Sequence, residues 1–322
     1  MKSKLTAEKR TGHGGLIACL LSFGNDHAIE AKISEGLNTA VAERGYSPLN
    51  GVIPIDPRTE VRRLVKNLGD KIAGIAIQPF RPNLELAELL LTPPVRDIPH
   101  IMIGHYFSNL QLSSCVIDNY GGMYAITEHL VKLGRRRFAF FGEVSLSSTE
   151  HERFQGFAEA CLHNGIQVKP DRIIKSYVEQ DLRNMIKGML DSEEPPDALV
   201  CLFDGLASSV LKILNDFGVQ VPEKVAVVSF GDDEDIADKC IPSLSTAYHP
   251  AFEMGAVAAH QLINQIEGKI PPTSSIFVLP VRVHVRESCG ATLSAYLKGE
   301  KFWDVPFSGY IGVRTTLCEA KK

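Results

Sequence analysis

Four acidic residues follow one strongly apolar run of the sequence, and they are the first candidates for chemistry. The stretch VVSFGDDEDI (227–236) runs from β-branched and aromatic residues through one glycine into these acids, which are Asp232, Asp233, Glu234 and Asp235. Carboxylates crowded at the end of a buried strand could be catalytic, could hold a metal ion, could bind a polar ligand or could form a solvated loop. The run lacks the alternating oxygen spacing and the glycine of a calcium loop, so we expect no metal site here.

Signatures of enzymes are absent elsewhere in the sequence. The glycines of Gly12–Gly15 precede a predicted strand instead of following one, so they do not form a dinucleotide loop. His151-Glu152 lacks a second histidine four residues on, and Ser229 lacks the flanking glycines of a nucleophile elbow. An enzyme using Asp204, Asp232 or Asp233 as acid or base therefore has no nucleophile or cofactor loop to support it. We expect no catalytic activity, no cofactor and no metal.

Composition limits the class of protein further. The 322 residues are 44% apolar and carry a formal net charge of −4, so the chain can form a real core but has no basic field over its surface for holding nucleic acid by itself. Its seven cysteines are scattered singly and odd in number, which indicates a reducing compartment. The sequence shows neither an export signal nor an apolar run long enough to span a membrane. We predict a cytoplasmic protein.

Short β-rich runs alternate with amphipathic helical patterns nearly from end to end. The runs predict strands at 15–21, 72–78, 98–104, 138–142, 198–202, 225–230 and 276–286. The patterns predict helices at 26–43, 57–68, 84–91, 120–133, 148–164, 181–190, 206–217 and 252–266. Repeated strand–helix units require parallel sheets covered by helices on both faces, and two doubly wound sheets accommodate them better than one. The residues after 292 lose this rhythm and are predicted to form a C-terminal tail.

Open α/β sheets bind ligands outside the carboxyl ends of their strands, which converts the strand map into candidate site residues. Arg153, early in a predicted helix, has a rigid fork of donors suited to hydroxyls or carboxylates. Asp204 and Asp232 follow buried strands and can accept hydrogen bonds from the same ligand. Aromatic residues after other strands offer flat apolar walls. The full set of predicted effector-binding residues is Phe23, Asn25, His27, Gln78, Phe80, Tyr106, Arg153, Phe203, Asp204, Gly231 and Asp232.

Several blocks of the sequence, in the right order and at the right distances, resemble one known family. They are CVIDNYGGMYAITEHLVKLGRRRFAFFGE (115–143), ERFQGFAEACLHNGI (152–166), PDALVCLFDGLASSVLKILNDFGVQVPEKVAVVSFGDD (196–233) and IPSLSTAYHPAFEMGAVAAHQLINQIEGK (241–269). Residues 12 to 290 are similar to the effector-binding core of the LacI/GalR transcription regulators.

This resemblance implies a periplasmic-binding-protein-like type I fold, in which two α/β subdomains are joined by three crossovers and hold a small effector between them. The expected organisation is a hinge remnant at 1–12, an N-terminal subdomain at 13–134 plus 248–279, a C-terminal subdomain at 135–247 plus 280–292, and a tail at 293–322. The resemblance also implies a homodimer, no membrane partner, and operator DNA bound through a helix-turn-helix domain. No helix-turn-helix pattern is present in this sequence.

The sequence departs from the family pattern at the expected site. Arg153, Asp204 and Asp232 match family positions, but Phe203 stands where the family usually has Asn and Gly231 where it has the first Asp of the turn. Ser229 replaces a usual glycine. We therefore predict an effector, sugar-like or nucleoside-like, that is flatter, more apolar or larger than a simple hexose.

Two further classes of function remain alternatives to a transcription regulator. An exported solute-binding protein of an uptake system would share the fold, but it is disfavoured by the missing export signal and the unpaired cysteines. The enzyme described above is the other alternative. A stable dimer would support the regulator, and a monomer would favour the transport receptor.

Overall fold

The computed structural model describes residues 14–22, 27–52, 58–80, 82–107, 109–144, 147–270, 275–291 and 312–314, the last three and His27 by their backbone only. Its internal contacts divide the chain into two units. The first unit is Met1–Ile117, Pro250–Leu279 and Ile311–Lys322, and the second is Asp118–His249 and Pro280–Tyr310. The chain therefore passes from one unit to the other several times.

The sheet of the first unit is almost entirely parallel. Among the described residues its order is β13-β11-β5-β4-β3-β1-β2, and only β13 runs antiparallel, to β11. The strands are β1 (Leu16–Leu21), β2 (Ser47–Val52), β3 (Ile72–Gln78), β4 (His100–Ile103), β5 (Ser114–Ile117), β11 (Ile276–Leu279) and β13 (Gly312–Arg314). Strand β3 reads IAGIAIQ and is buried up to its last residue, as a parallel strand covered by helices on both faces requires.

Four described helices cover this sheet. They are α1 (His27–Glu43), α2 (Arg58–Leu68), α3 (Leu84–Leu91) and α9 (Ala251–Ile266), with short 3-10 turns at Gly69–Lys71 and Val95–Asp97. One apolar core joins β1 and β3 to α2 and α3. Helices α1 and α9 approach closely at two glycines, because a Cβ on Gly36 would lie 2.0 Å from the Phe252 carbonyl oxygen and one on Gly255 2.2 Å from that of Ile33.

The second unit repeats this architecture around its own sheet. The described strands have the order β12-β10-β9-β8-β6-β7, all parallel to their neighbours except β12, which is antiparallel to β10. Their bounds are β6 (Phe138–Phe141), β7 (Ile173–Ile174), β8 (Ala198–Cys201), β9 (Ala226–Gly231), β10 (Ser245–Tyr248) and β12 (Arg282–His284).

The helices of the second unit are α4 (Asn119–Lys132), α5 (Ser148–His163), α6 (Glu179–Leu190), α7 (Asp204–Asp216) and the single turn α8 (Glu234–Ala237), with 3-10 turns at Pro170–Arg172 and Glu287–Cys289. Ser147 caps helix α5: its hydroxyl accepts a hydrogen bond from the Glu150 N–H, as is typical of an N-cap. Helices α4 and α5 cross closely at Gly156, where a Cβ would lie 2.2 Å from the Tyr120 carbonyl oxygen.

The predicted fold class is confirmed: two mostly parallel sheets alternate with helices, and most predicted elements lie within a few residues of their observed bounds. The single closing strand predicted over 276–286 is wrong. Strand β11 ends before Pro280, which has no N–H to donate, and β12 pairs in the other sheet. Five of the described strands were not predicted, namely β2, β5, β7, β10 and β13.

The predicted subdomain boundary near residue 134 differs from the observed division. Helix α4 packs against α5, β9, β10 and β12, so the chain enters the second unit at Asp118 instead of Arg135. The second change of unit falls between His249 and Pro250, two residues after the predicted position. The predicted hinge remnant at 1–12 lies outside the described residues, as does most of the tail, whose residues 312–314 form β13.

The cysteines that the structure describes are free thiols and mostly buried. Cys19 and Cys115 lie in the first unit, and Cys161, Cys201, Cys240 and Cys289 in the second; only Cys240 is partly exposed. Burial raises the pKa of the Cys19 and Cys161 thiols to about 12. In the part of the chain that the structure describes, no helix is both long and apolar enough to cross a membrane.

Candidate functional site

The candidate site of the second unit lies at the carboxyl edge of its sheet. Parallel strands β6 to β10 all end at this edge, and a ligand of an open α/β sheet binds outside such ends. Chemically distinctive side chains follow these strands: Glu143 after β6, Tyr177 after β7, Phe203 and Asp204 after β8, Asp232 after β9 and His249 after β10. The topology thus brings together residues that are up to 106 positions apart in sequence (249 less 143).

Arg153 is held in a fixed orientation beside the end of β8. Its Nε donates to the Asn119 Oδ1 at 2.9 Å and its Nη1 to the Leu202 carbonyl oxygen at 2.9 Å. The guanidinium lies 3.8 Å from the centre of the Phe230 ring, within cation–π range. The side chain is buried, so this arginine is a rigid part of the wall and not a mobile surface residue.

Asp204 is bound almost entirely to internal donors. The hydroxyls of Ser229 and Thr246 donate to its Oδ1, the second at 2.8 Å, and the Asp233 N–H donates to Oδ2 at 2.8 Å. Burial raises the pKa of this carboxyl, and the three donors oppose the rise without cancelling it. Since Asp204 is only 2% exposed, its main contacts tie the start of α7 to β9, β10 and the following turn.

The turn after β9 has an unusual backbone. Gly231 has φ +150° and Asp232 has φ +62°, and Asp232 is the only described non-glycine residue at positive φ. Asp and Asn tolerate this region better than other side chains. The Asp232 carboxylate is fixed there by the His284 Nδ1 at 2.6 Å and by an ion pair with the Arg286 Nη1 at 2.8 Å. Strand β12 and the residues directly after it therefore support the strained turn.

The charged partners also decide how Asp232 ionises. Burial alone would raise the pKa of its carboxyl, but the hydrogen bonds from His284 and Arg286 and their charges hold it below the usual value. Arg286 reaches Asp238 as well, through its Nε at 2.7 Å. Asp232 is thus an ionised member of an internal network.

The remaining acids of the opening stretch have local roles. Asp233 is buried and its carboxylate accepts from the Asp235 N–H at 2.9 Å, which makes it the N-cap of α8. The solvated loop that the sequence left open is therefore not what Asp233 forms, since Asp233 is buried and caps a short helical turn. Asp235 itself is exposed and pairs with Lys239 one turn later.

An aromatic pair borders the same edge. The rings of Tyr177 and Phe203 lie 5.7 Å apart at 41°, and the Glu143 N–H donates to the Tyr177 hydroxyl at 2.9 Å. Tyr177 remains 42% exposed. The pair therefore provides aromatic surface beside Asp204 that is accessible at Tyr177, and ring compounds can stack on such side chains.

His249 adds a neutral imidazole at the end of β10. Burial, followed by the positive charge of Arg153, lowers its pKa to about 3. Among the described residues its buried Nδ1 has no hydrogen-bond partner. A neutral ring nitrogen at this place can accept from, or donate to, a polar ligand group.

The first unit presents its predicted residues at the carboxyl edge of its own sheet. Gln78 ends β3, Phe80 follows two residues later, and Tyr106 follows the adjacent strand β4. The Gln78 Oε1 is buried without a partner in the described residues, and Phe80 is 37% exposed. Phe23 and Asn25 lie outside the described residues, and for His27 the backbone alone, at the start of α1, is described.

A separate cavity of about 260 Å³ lies near the opposite edge of the first unit's sheet, where β4 and β5 begin. Its walls include Ile98, His100, Ser113 and Gln265. His100 is held through its Nδ1 by the Ile98 carbonyl oxygen at 2.8 Å, and burial lowers its pKa. None of the predicted site residues lines this cavity.

Sequence reasoning missed several residues of the second unit's site. These residues contact or border the predicted ones, but they lie on or after strands that were not predicted, or within 276–286, which was predicted as one closing strand. They are Tyr177, Thr246, His249, His284 and Arg286. The unpredicted β7 and β10 are short, two and four residues. No group of three or more potential metal ligands occurs within the described ranges.

Comparisons with a family model and with individual proteins point to the same family. The model of the family described as "Periplasmic binding protein-like domain" matches residues 127–289. The arabinose metabolism transcriptional repressor of Halalkalibacterium halodurans is 28% identical over 258 residues, which cover 78% of this chain and 68% of that protein. The repressor CytR of Escherichia coli K12 is 25% identical over 244 residues, which cover 74% and 69%. The matched region thus spans about two thirds of these relatives.

Solved structures agree on the fold. The transcriptional regulator CelR in complex with cellobiose superposes with a TM-score of 0.74 at 24% identity, covering 89% of each chain. The Lac repressor bound to ONPG superposes with a TM-score of 0.73 at 18% identity, covering 89% of this chain and 86% of that one. These similarities identify the architecture and leave the ligand open.

Proposed function

This chain belongs to the periplasmic-binding-protein-like family and has the effector-binding core of the LacI/GalR transcription regulators, and we propose that it senses a small molecule to modulate DNA binding. The relatives that it matches are named as transcriptional repressors, not as enzymes or transport receptors. An exported solute-binding protein is therefore not favoured. In this proposal a helix-turn-helix domain of the regulator contacts operator DNA, and the regulator acts in the cytoplasm as a homodimer.

The observation that supports effector binding is the set of fixed side chains at the carboxyl edge of the second unit's sheet. A buried arginine is fixed on an aromatic ring, and an aromatic pair with an exposed tyrosine lies at the same edge. A neutral histidine there has a ring nitrogen without a hydrogen-bond partner among the described residues. Side chains that packing and hydrogen bonds already hold in place favour ligand binding, because little conformational entropy is lost when the ligand binds. The effector contacts Arg153, Phe203 and His249 here.

The predicted residues of the first unit, at the carboxyl edge of their own sheet, are further candidate effector contacts in this proposal. Gln78 contributes a buried amide oxygen, and Phe80 and Tyr106 contribute aromatic surface. Binding that favours one arrangement of the two units over another shifts the population of the regulator, since a ligand moves an equilibrium only through its different affinity for the two states. This shift is the means by which the effector alters DNA binding.

A comparison of two phenylalanines on one helix tests the proposal. Phe203 precedes the first residue of α7 at the proposed site, and Phe217 follows the last residue at the other end. Ligand that copurifies with the chain is identified by native mass spectrometry and titrated calorimetrically. We expect Phe203→Ala to weaken its binding at least tenfold and Phe217→Ala to leave binding unchanged. Equal effects of both substitutions would refute the assignment of the site.

The dimer is tested by sedimentation velocity at micromolar concentration. A regulator core of this family is expected to sediment as a dimer of the 35.3 kDa chain. A monomer at every concentration would instead support the solute-binding alternative.

A further inference from the structure

The acids at the carboxyl edge of the second unit share one property. The carboxylates of Asp204, Asp232 and Asp233 are each directed at donors of their own unit, namely hydroxyls and an N–H, a histidine and an arginine, and an N–H. Each of the three is less than 10% exposed. A polyol is bound most effectively by carboxylate oxygens that accept from neighbouring hydroxyls. These three carboxylates are already committed to other donors.

Asp204 also occupies the space beside position 231. A Cβ added to Gly231 would lie 2.8 Å from the Asp204 Oδ2 and 3.2 Å from its Cγ. Those atoms have little freedom to move, because Ser229, Thr246 and the Asp233 N–H hold the carboxylate from three directions. The positive φ of Gly231 adds backbone strain for any side chain.

We propose that Ser229 and Thr246 fix the Asp204 carboxylate in the space that a side chain at position 231 would need, so that the second unit selects an effector with a planar ring over a polyol. This inference rests on the proposed effector-binding function and names the class of effector. Asp204, Ser229, Thr246 and Gly231 act as one specificity set. Each depends on the others: the glycine leaves room for the carboxylate, and the two hydroxyls keep the carboxylate in that room.

The neighbouring surface fits the same class of ligand. Tyr177 is exposed and Phe203 partly buried next to Asp204, and stacking on an aromatic side chain is available to any planar ring. A nucleobase or nucleoside provides this ring together with polar edge groups for Arg153 and His249. An unmodified hexose has hydroxyls in place of the ring, and it meets three carboxylates that each already face a donor of their own unit.

The dependence within the set is tested first by stability, without any ligand. Asp204→Ala, Gly231→Asp and the double variant are unfolded thermally. Each single variant should melt at a lower temperature than the wild-type chain. The loss in the double variant should be smaller than the sum of the two single losses, because removing the Asp204 carboxylate removes the 2.8 Å contact and the repulsion between the two acids.

A glycine in open space provides the matched control. Gly188 of α6 is in the same unit, and a Cβ there meets nothing within 4 Å, so Gly188→Asp and Asp204→Ala should be additive. If Gly231→Asp does not fold, Gly231→Ala replaces it, since its Cβ alone makes the same contact. Additivity of the 204 and 231 substitutions in the folded variants would overturn the proposal.

The effector class is tested second, by calorimetry with adenine, adenosine, uracil and uridine as planar probes and D-glucose and D-ribose as polyol probes. The wild-type chain should bind at least one planar probe more than tenfold tighter than either sugar. The double variant Asp204→Ala, Gly231→Asp should bind D-glucose at least tenfold tighter than the wild-type chain. Tighter binding of an unmodified sugar by the wild-type chain would overturn the effector class and leave the proposed function standing. Binding of no probe and no copurified ligand would overturn both.

Discussion

At the residue scale, Asp232 combines an unfavourable backbone conformation with a carboxylate that is held by two basic side chains. Its φ of +62° is costly for a residue with a side chain, and the contacts with His284 and Arg286 offset that cost. A single sequence can suggest that an acid follows a strand, but it cannot show which distant basic residues contact that acid in the fold. Here both partners lie more than 50 residues later, on or just after a strand that the sequence pattern merged with another.

Removing the arginine should leave a buried charge without its main partner. We expect Arg286→Met to lower the free energy of unfolding by about 2–3 kcal/mol, because breaking one side of a buried ion pair strands the other charge. Arg282→Met, on β12 four residues earlier, is the control, since Arg282 is exposed. Urea denaturation measures both. Equal, small effects of the two substitutions would show that the Asp232 network contributes little.

The ionisation of Asp232 predicts a dependence of stability on pH. Its pKa in the folded chain is below the usual 3.8, so its ionised form stabilises the folded state above about pH 4, and this contribution is lost as the pH falls through the lowered folded value. We expect the stability difference between the wild-type chain and Asp232→Asn to be constant near neutral pH and to shrink on acidification below pH 4. Denaturant titrations from pH 7 to pH 2.5 measure it. A difference that grows towards low pH would contradict the lowered pKa.

At the element scale, the periodic patterns predicted the long helices and the buried strands well, because these segments carry their own signal. The short strands were missed for a physical reason. Strand β7 has two residues and β10 reads STAY, so neither forms an apolar run, and each becomes a strand only because a longer neighbour supplies its hydrogen bonds. The same limit hid the polar half of the site, since Thr246 and His249 belong to β10 and the residue after it.

The close crossing of α4 and α5 gives a prediction for the elements themselves. We expect Gly156→Ala to destabilise the chain by about 1–3 kcal/mol, because its Cβ would meet the Tyr120 carbonyl oxygen at 2.2 Å and the helices must separate. Gly188→Ala is the control and should be neutral or stabilising, since alanine favours helix and the position is open. Thermal unfolding of both variants checks this. A neutral Gly156→Ala would mean that the two helices adjust freely.

At the scale of the whole molecule, the alternation of strands and helices and the resemblance to a known family both predicted two α/β units, but the first limit that the resemblance implied differs from the observed one. The assignment of α4 shows why. Its sequence reads as an ordinary amphipathic helix, and only its contacts with α5 and with β9, β10 and β12 reveal to which unit it belongs.

The repeated passage of the chain makes the second unit depend on its last segment. A chain ending at Leu279 lacks β12 and with it the partners of Asp232, whereas a chain ending at Ala291 keeps them, and both lack β13. Hydrogen exchange read by mass spectrometry should show lost protection in β9 and β10 of the shorter chain and equal protection of β3 and β4 in both. Uniform loss across both units would contradict their separate cores.

The buried cysteines make the chain its own reporter of local opening. A thiol reacts as its thiolate. These thiols are buried, and burial raises the pKa of Cys19 and of Cys161 to about 12. Modification by an alkylating reagent at neutral pH therefore requires the surrounding core to open first. Because Cys19 and Cys115 lie in one unit and Cys161, Cys201 and Cys289 in the other, peptide-resolved alkylation rates would time the opening of each unit separately, with no label introduced and no residue changed.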